Sequence, residues 1–325
     1  MVPDKGHYRL QARSIRNGLV VPFLGAGVNL CDRPTDQTFR QGGECLPSGA
    51  ELADYLAREF YYEQDDHPDL LRISQYVSLK IGVPELYFAL HKVFDGDYLP
   101  SKVHRFLATM PPGEGERGEP VYPLILTTNY DDALETAFDE IGRPYDLVYY
   151  VADADDGTRG KFVHVPPDGR PVPIEVPNEY LDVGSDQRAV IVKVHGMVNR
   201  DDQQRDSYVI TEDHYIDYLA QTDINRLLPA KLVARLRHQR TQLLFLGYGL
   251  RDWNLRVILH RIWGSRELRN NSVAIQRETD DIEAGCWAKR GVQIFDLPLD
   301  EYIGELDAAL DAHAALAKAA LLAAS

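Results

Sequence analysis

Five places in this sequence set polar or reactive residues directly behind a short apolar run. Gly25-Ala26-Gly27-Val28-Asn29 follows Val20–Leu24, and Thr128-Asn129-Tyr130-Asp131-Asp132 follows Leu124–Thr127. His195-Gly196 follows Ala189–Val194, Gly247-Tyr248-Gly249 follows Gln242–Leu246, and Gln276 follows Ser272–Ile275. Paired glycines let a backbone turn tightly and approach a diphosphate, and Asn29 suits a helix cap. The Asn129 amide can orient a hydroxyl or a water but cannot titrate. Asp131 can accept from an amide and offset a developing positive charge. His195, with an ordinary pKa of about 6.5, can take up a proton near neutrality. Taken singly, each has a plainer reading: a strand–helix turn at 25–29, a capping cluster at 127–132, a structural histidine at 195.

Those residues gain meaning from the elements that carry them. Runs that are apolar without alternation, separated by helical periodicity, predict buried parallel strands covered on both faces. Strands are predicted at Val20–Leu24, Leu124–Thr128, Ala189–Val194, Gln242–Leu246, Ser272–Ile275 and Val292–Phe295. In such a sheet, ligands bind beyond the carboxyl ends of the strands, where the five clusters stand. Ser48-Gly49-Ala50-Glu51 is a capping box, and helical spacing of apolar residues continues through Leu70–Val77, Leu86–Val93 and Val103–Leu107. Further helices are predicted at Leu134–Ile141, Asp213–Ala220, Ile224–Arg237 and Trp253–Trp263. Residues 152–186, rich in Asp, Gly and Pro, read as an excursion containing a hairpin. The fold class is therefore α/β, a Rossmann-like, doubly wound parallel sheet with a helical insertion module. One domain spans 1–325: core at 18–47 and 120–300, insertion at 48–119, C-terminal helix at 301–325.

Composition narrows the partners. The 325 residues are 44% hydrophobic, enough for a large core, and carry a formal net charge of −15. That excess argues against direct nucleic-acid binding, which needs a basic stripe, although Lys231, Arg235, Arg237 and Arg240 form a local basic group. It leaves an anionic small ligand open, because backbone amides can hold phosphate. The charged start (Asp4, Lys5, Arg9, Arg13, Arg16) lacks a signal-peptide core, and no run is long enough to span a membrane, so a cytoplasmic protein is expected. Cys31, Cys45 and Cys286 have no Cys-x-x-Cys spacing, which gives neither a disulfide framework nor a zinc ribbon.

The order Gly25-Ala26-Gly27, Thr128-Asn129-Tyr130-Asp131, His195-Gly196, Gly247-Tyr248-Gly249-Leu250 resembles the sirtuin superfamily in its bacterial sirtuin-like branch. The sirtuin pattern runs Gly-Ala-Gly, Gln-Asn-Ile-Asp, His-Gly, Gly-Thr-Ser-Leu and Ile-Asn, the last similar to Ile275-Gln276. The resemblance covers about residues 15–300, and Leu244–Asn254 looks typical of the bacterial branch. It implies NAD+ in a Rossmann-type domain beside a small helical domain. Gly25, Ala26 and Gly27 would cradle the pyrophosphate, and Asn129 and Asp131 would face the nicotinamide ribose and carboxamide. His195 would be the base, Gly247 and Gln276 would border the adenosine side, and Asn29, Thr128, Tyr248 and Gly249 complete the binding set.

Departures from the pattern shift the expected activity. There is no paired Cys-x-x-Cys zinc module, Thr128 replaces Gln, and Asn29 stands where the family has Ser. The resemblance therefore implies an NAD+ hydrolase of anti-phage defence, with NAD+ as substrate and no metal. Gating by homo-oligomerisation, or by a partner such as an ATPase or an Argonaute-like protein, goes with it. The alternatives are a non-catalytic sensor of NAD+ or ADP-ribose, and an NAD-dependent protein deacylase or ADP-ribosyltransferase.

Overall fold

The computed structural model describes residues 2–63, 69–184, 186–220, 227–249, 259, 272–277, 279 and 281–324. Helix α1 (Lys5–Arg16) leads into β1 (Val20–Leu24), and a 3-10 turn follows at Ala26–Leu30. Four helices come next: α2 (Gly49–Glu59), α3 (Leu70–Lys80), α4 (Val83–Phe94) and α5 (Lys102–Thr109). A two-rung ribbon, β2 (Gly113–Glu114) with β3 (Pro120–Val121), precedes β4 (Leu124–Thr127), α6 (Ala133–Glu140), β5 (Tyr145–Tyr150), β6 (Phe162–Val165) and β7 (Val172–Pro173). Then come β8 (Ala189–Lys193), β9 (Gly196–Met197), β10 (Ser207–Tyr208), α7 (Glu212–Ala220), α8 (Ala230–Leu236) and β11 (Gln242–Leu246). The chain closes with β12 (Ser272–Ile275), α9 (Asp281–Ala288), β13 (Val292–Phe295) and α10 (Leu299–Ala324).

The main sheet has the order β13-β12-β11-β1-β4-β8-β5-β6-β7. From β13 to β5 every pairing is parallel. The hairpin expected within residues 152–186 is β6 with β7, which run antiparallel at one edge of the sheet because short connections join them in place of crossover helices. From β1 the chain moves out through β4 to β5, comes back to insert β8 between those two, and then crosses to lay β11 on the other side of β1. The order thus reverses at β1, and such a switch point opens a crevice above the strand ends.

Alternation along each strand divides the apolar side chains between two layers. Val21, Phe23, Leu126 and Val192 face α8 and Trp287 of α9. Val20, Leu24, Ile125 and Ile191 face α1, α5, α6 and α10. Helix α10 presents Tyr302, Ile303, Leu306 and Leu310 at helical spacing to this second layer. Helices α2–α4 instead build a core of their own around Leu56, Ile73, Leu86 and Leu90, reaching the sheet through Tyr130 and Tyr208. Of the predicted helices, 224–226 and all of Trp253–Trp263 except Leu259 lie outside the described residues.

The excursion after β5 is tied down by a buried polar cluster. Asp146 accepts from the Gly184 amide at 2.6 Å and from Arg188 Nε at 3.0 Å, and His164 Nε2 stands 3.0 Å away. Tyr180 Oη lies 2.8 Å from His164 Nδ1. Burial pushes the Asp146 carboxyl up, but these donors outweigh it and hold it below the ordinary range. Asp146→Ala, which strands the buried His164 and the half-buried Arg188, is expected to cost about 3–5 kcal/mol of unfolding free energy. Asp146→Asn, which keeps an acceptor, should cost less; equal urea midpoints for wild type and Asp146→Ala would refute this account of the cluster.

Candidate functional site

Above the switch point lies a cavity of about 380 Å³, within the ~300–1,000 Å³ typical of small-molecule sites. It gathers Gly25, Ala26, Gly27 and Asn29 from the end of β1, and Thr128, Asn129 and Asp131 from the end of β4. His195 enters from the end of β8, and Gly247, Tyr248 and Gly249 from the end of β11. Residues more than 200 positions apart in sequence therefore share one wall. Gln276 does not line this cavity: its amide donates to Phe295 O at 3.1 Å at the end of β12, with β11 between it and β1. Leu250–Asn254, singled out with the Gly247–Gly249 turn, lies outside the described residues.

The glycines serve a packing purpose in addition to the one their spacing predicts. Gly27 donates its amide to Gly247 O at 2.8 Å, and Gly25 donates to Leu246 O at 3.1 Å. Gly247 has φ +64°, and a Cβ there would stand 2.2 Å from the amide nitrogen of Val28. A Cβ on Gly27 would stand 2.6 Å from Gly247 O. The missing side chains thus admit the backbone of the neighbouring strand-end loop, and the amides of Gly25 and Gly27 are already engaged. At Gly249 an added Cβ would meet open space.

The polar residues are held from behind and left open in front. Thr127 Oγ1 accepts the Asn129 amide at 3.0 Å, and Asn129 Nδ2 donates to Gly25 O at 3.4 Å. Asp131 Oδ1 caps the Ala133 amide at 3.2 Å, while Oδ2 accepts from Asn29 Nδ2 at 3.4 Å. His195 is 3% exposed, its carbonyl accepts from the Val209 amide at 2.9 Å, and Tyr215 meets its ring edge-on at 5.4 Å. Three buried atoms of these cavity residues have no hydrogen-bond partner among the described residues: Asn29 Oδ1, Asn129 Oδ1 and His195 Nε2. Burial pushes the His195 imidazole down to about 3, so the ring is neutral at physiological pH rather than poised near 6.5.

The helical lobe supplies the opposite wall, and sequence reasoning missed its part. Ser48, Leu52, Leu70 and Phe94 line the cavity, and so does Tyr215 of α7. The capping box at Ser48 signalled a helix start but not where that start would dock. Glu51 of that box accepts from Arg33 Nη1 at 2.9 Å, the Ser48 amide at 2.9 Å and the Phe39 amide at 2.8 Å. Burial raises this carboxyl, yet Arg33 and the two amides prevail and hold it at about 2. The loop between β1 and α2 is fixed at the mouth of the cavity by that knot.

The profile of the SIR2-like domain matches residues 123–295, more than half of the chain and three of the four strand ends that frame the cavity. The chain belongs to the SIR2-like domain family. It is 26% identical over 267 residues to "Defense-associated sirtuin 2" of Bacillus subtilis, a stretch covering 80% of this chain and 20% of that protein. It is 28% identical over 230 residues to "NAD(+) hydrolase ThsA" of Acinetobacter baumannii (strain 532279), covering 69% of this chain and 38% of that one. The chain therefore spans well under half the length of either relative. As a SIR2-like domain it carries no group of three or more His, Cys, Asp or Glu placed to hold a metal, among the described residues. None of its described helices is long and apolar enough to cross a membrane.

The buried neutral imidazole gives this SIR2-like domain a pH signature. The folded pKa of His195 lies below that of the unfolded chain, so under pH ~6.5 the unfolded chain binds a proton that the folded one refuses. The stability carried by the neutral ring is whole above pH ~6.5 and drains as pH falls towards 3; at pH 5 the loss is about 2 kcal/mol. His104, pushed down to about 4 by burial, adds in the same direction. Unfolding midpoints measured at pH 7 and pH 5 should fall further in wild type than in His195→Asn, and equal falls would contradict the buried neutral ring.

Proposed function

We propose that this chain is the NAD+-cleaving domain of an anti-phage defence effector, an NAD+ glycohydrolase that breaks the nicotinamide–ribose bond. The observation that carries the reading is the trio of unpartnered buried atoms on Asn29, Asn129 and His195 around one cavity at the sheet's switch point. A buried polar atom without a partner costs about 1–3 kcal/mol, so three around one cavity are explained by a polar ligand that completes them. The likeness to an NAD(+) hydrolase and to a defence-associated sirtuin supports NAD+ as that ligand.

Cleavage proceeds with oxocarbenium character, as the departing pyridinium leaves as neutral nicotinamide. The site must orient the ribose and deliver a water to the anomeric carbon. Asn129, its Nδ2 engaged by Gly25 O, offers Oδ1 to a ribose hydroxyl or the attacking water. His195, neutral and with Nε2 turned to the cavity, accepts the hydrogen bond of that hydroxyl or water. It takes the proton the water sheds once it has bonded to the ribosyl cation, an oxonium acidic enough even for this weakened imidazole. Asp131, anchored by Asn29 and Ala133, accepts from the carboxamide NH2 and offsets charge on the ribosyl cation. Thr128, Tyr248 and Gly249 complete the NAD+ surface.

Incubation with NAD+ and chromatography of released nicotinamide test the assignment. His195→Ala and Asn129→Ala should each lower release by at least about a hundredfold while remaining folded. Full hydrolysis by a folded His195→Ala protein would sink it, and a wild type that binds NAD+ without releasing nicotinamide would transfer the protein to the sensor class. Restraint by self-association or by a partner belongs to the same proposal, and a fully active monomer in native mass measurement would remove it.

A further inference from the structure

Lys193 borders this site without a part in the chemistry so far. It ends β8, two residues before His195, in register with Thr127 at the end of β4. Its side chain is 1% exposed. The ammonium donates to the Asp131 carbonyl and, at 2.7 Å, to Glu135 Oε1 in the first turn of α6. The rest of the 128–131 backbone is gripped by main chain and a hydroxyl. Thr128 N donates to Leu24 O at 3.2 Å, Asn129 N to Thr127 Oγ1 at 3.0 Å, and Val198 N to Tyr130 O at 2.9 Å. At Asp131 the grip is a buried cation reaching across from the strand that carries His195.

Stability alone is a poor reason for such a pair. Replacing a buried ion pair by well-packed apolar residues is often neutral or stabilising, whereas breaking it on one side is strongly destabilising. Glu135 is itself incompletely satisfied, with Oε2 buried and unpartnered among the described residues. What the ammonium gives that an apolar side chain cannot is a directed bond to one carbonyl. That bond ties the β4 loop, bearing Asn129 and Asp131, to the strand bearing His195.

We propose that Lys193 is a positioning residue for NAD+ cleavage: by holding the Asp131 carbonyl it fixes Asn129 and Asp131 relative to His195. The proposal rests on the glycohydrolase reading above. Lys193 touches no reacting atom; its loss misplaces the loop while the Gly247–Gly249 side of the cavity stays built. Misplacement near 1 Å can cost up to about a hundredfold in rate.

The decisive protein is the double variant Lys193→Met/Glu135→Leu, which removes both charges together; Lys193→Met alone strands Glu135 and is expected to melt early. The double variant should melt within a few degrees of wild type. Its kcat for nicotinamide release should fall at least about tenfold with KM changed less than about threefold, the split expected when orientation rather than binding is lost. Deuterium uptake by amides 128–132 should be at least about tenfold faster in it. Wild-type kcat together with wild-type uptake would overturn the proposal, as would a KM rise that accounts for the whole loss. If wild type itself releases no nicotinamide, the glycohydrolase reading falls. The uptake measurement then decides Lys193 alone: faster exchange sustains its grip on the loop, and unchanged exchange overturns it.

Discussion

Gly27 N–H donates to Gly247 O across a gap of 2.8 Å, and no side chain fits on either residue without striking the other's backbone. This clasp joins the loops after β1 and β11, the two strands between which the chain reverses direction across the sheet. The crevice above a switch point is open by default, because the loops on its two sides lead away from each other. Here its floor is closed by main chain packed on main chain. Asn129 then rests on that floor through Gly25 O, and Tyr248 packs edge-on against Phe23 beneath it. The positions of the polar groups follow from the clasp.

A chain of net charge −15 is an unpromising host for an anionic dinucleotide. The charges near the site are resolved locally: Glu51 by Arg33 and amides, Glu135 by Lys193, Asp132 by Arg200 at 2.7 Å. Apart from the Asp131 carboxylate, what faces the cavity is neutral: amides of Asn, a neutral imidazole, glycine backbone, tyrosine and the apolar wall of the helical lobe. A ligand there meets hydrogen-bonding groups more than fields. The unpartnered atoms are the counterpart of that design, since the folded protein carries their desolvation until something polar arrives.

Much of the frame was legible. Val20–Leu24, Gln242–Leu246, Ser272–Ile275 and Val292–Phe295 fall on observed strands to the residue, because short apolar runs between helical stretches mark buried strands even where, as at Gln293 of the edge strand β13, one position is polar and exposed. Strand β5 was not, because Asp146 interrupts Tyr145–Tyr150 and follows Gly142 and Pro144, which read as a turn. Its charge is met by Arg188 and His164 from distant positions that no local window can see. Helix α1 escaped notice for a similar reason: its many charges hide an inner stripe of Tyr8, Ala12 and Ile15. In the site, Asn129 and His195 were visible because a polar residue at the mouth of an apolar run is conspicuous. Leu52, Phe94 and Tyr215 were not, since an apolar or aromatic residue on a helix carries no mark of which surface it will face. The glycines were read as room for a ligand; they do line the cavity, and at Gly27 and Gly247 the structure also uses the missing side chains to seat one strand-end loop on the other, a contact no local window can see.

The helical lobe and the strand ends that frame the cavity are not independent bodies. Asp206, from the turn between β9 and β10, accepts from Tyr208 Oη at 2.8 Å and from the Asn199 amide at 2.7 Å, and lies 2.8 Å from His91 Nδ1 of α4. Gln75 of α3 donates to Asp213 at 2.9 Å and accepts from its amide at 3.2 Å, at the start of the helix whose Tyr215 covers His195. Arg200 links Asp132, beside the β4 loop, to Asp97 just past α4. Each link ends within a few residues of His195, Asp131 or Tyr215. A displacement of α3 and α4 relative to the sheet must therefore break these polar bonds or carry the site residues with it. The lobe that supplies the apolar wall of the cavity is thereby also the element to which the opening over His195 is coupled.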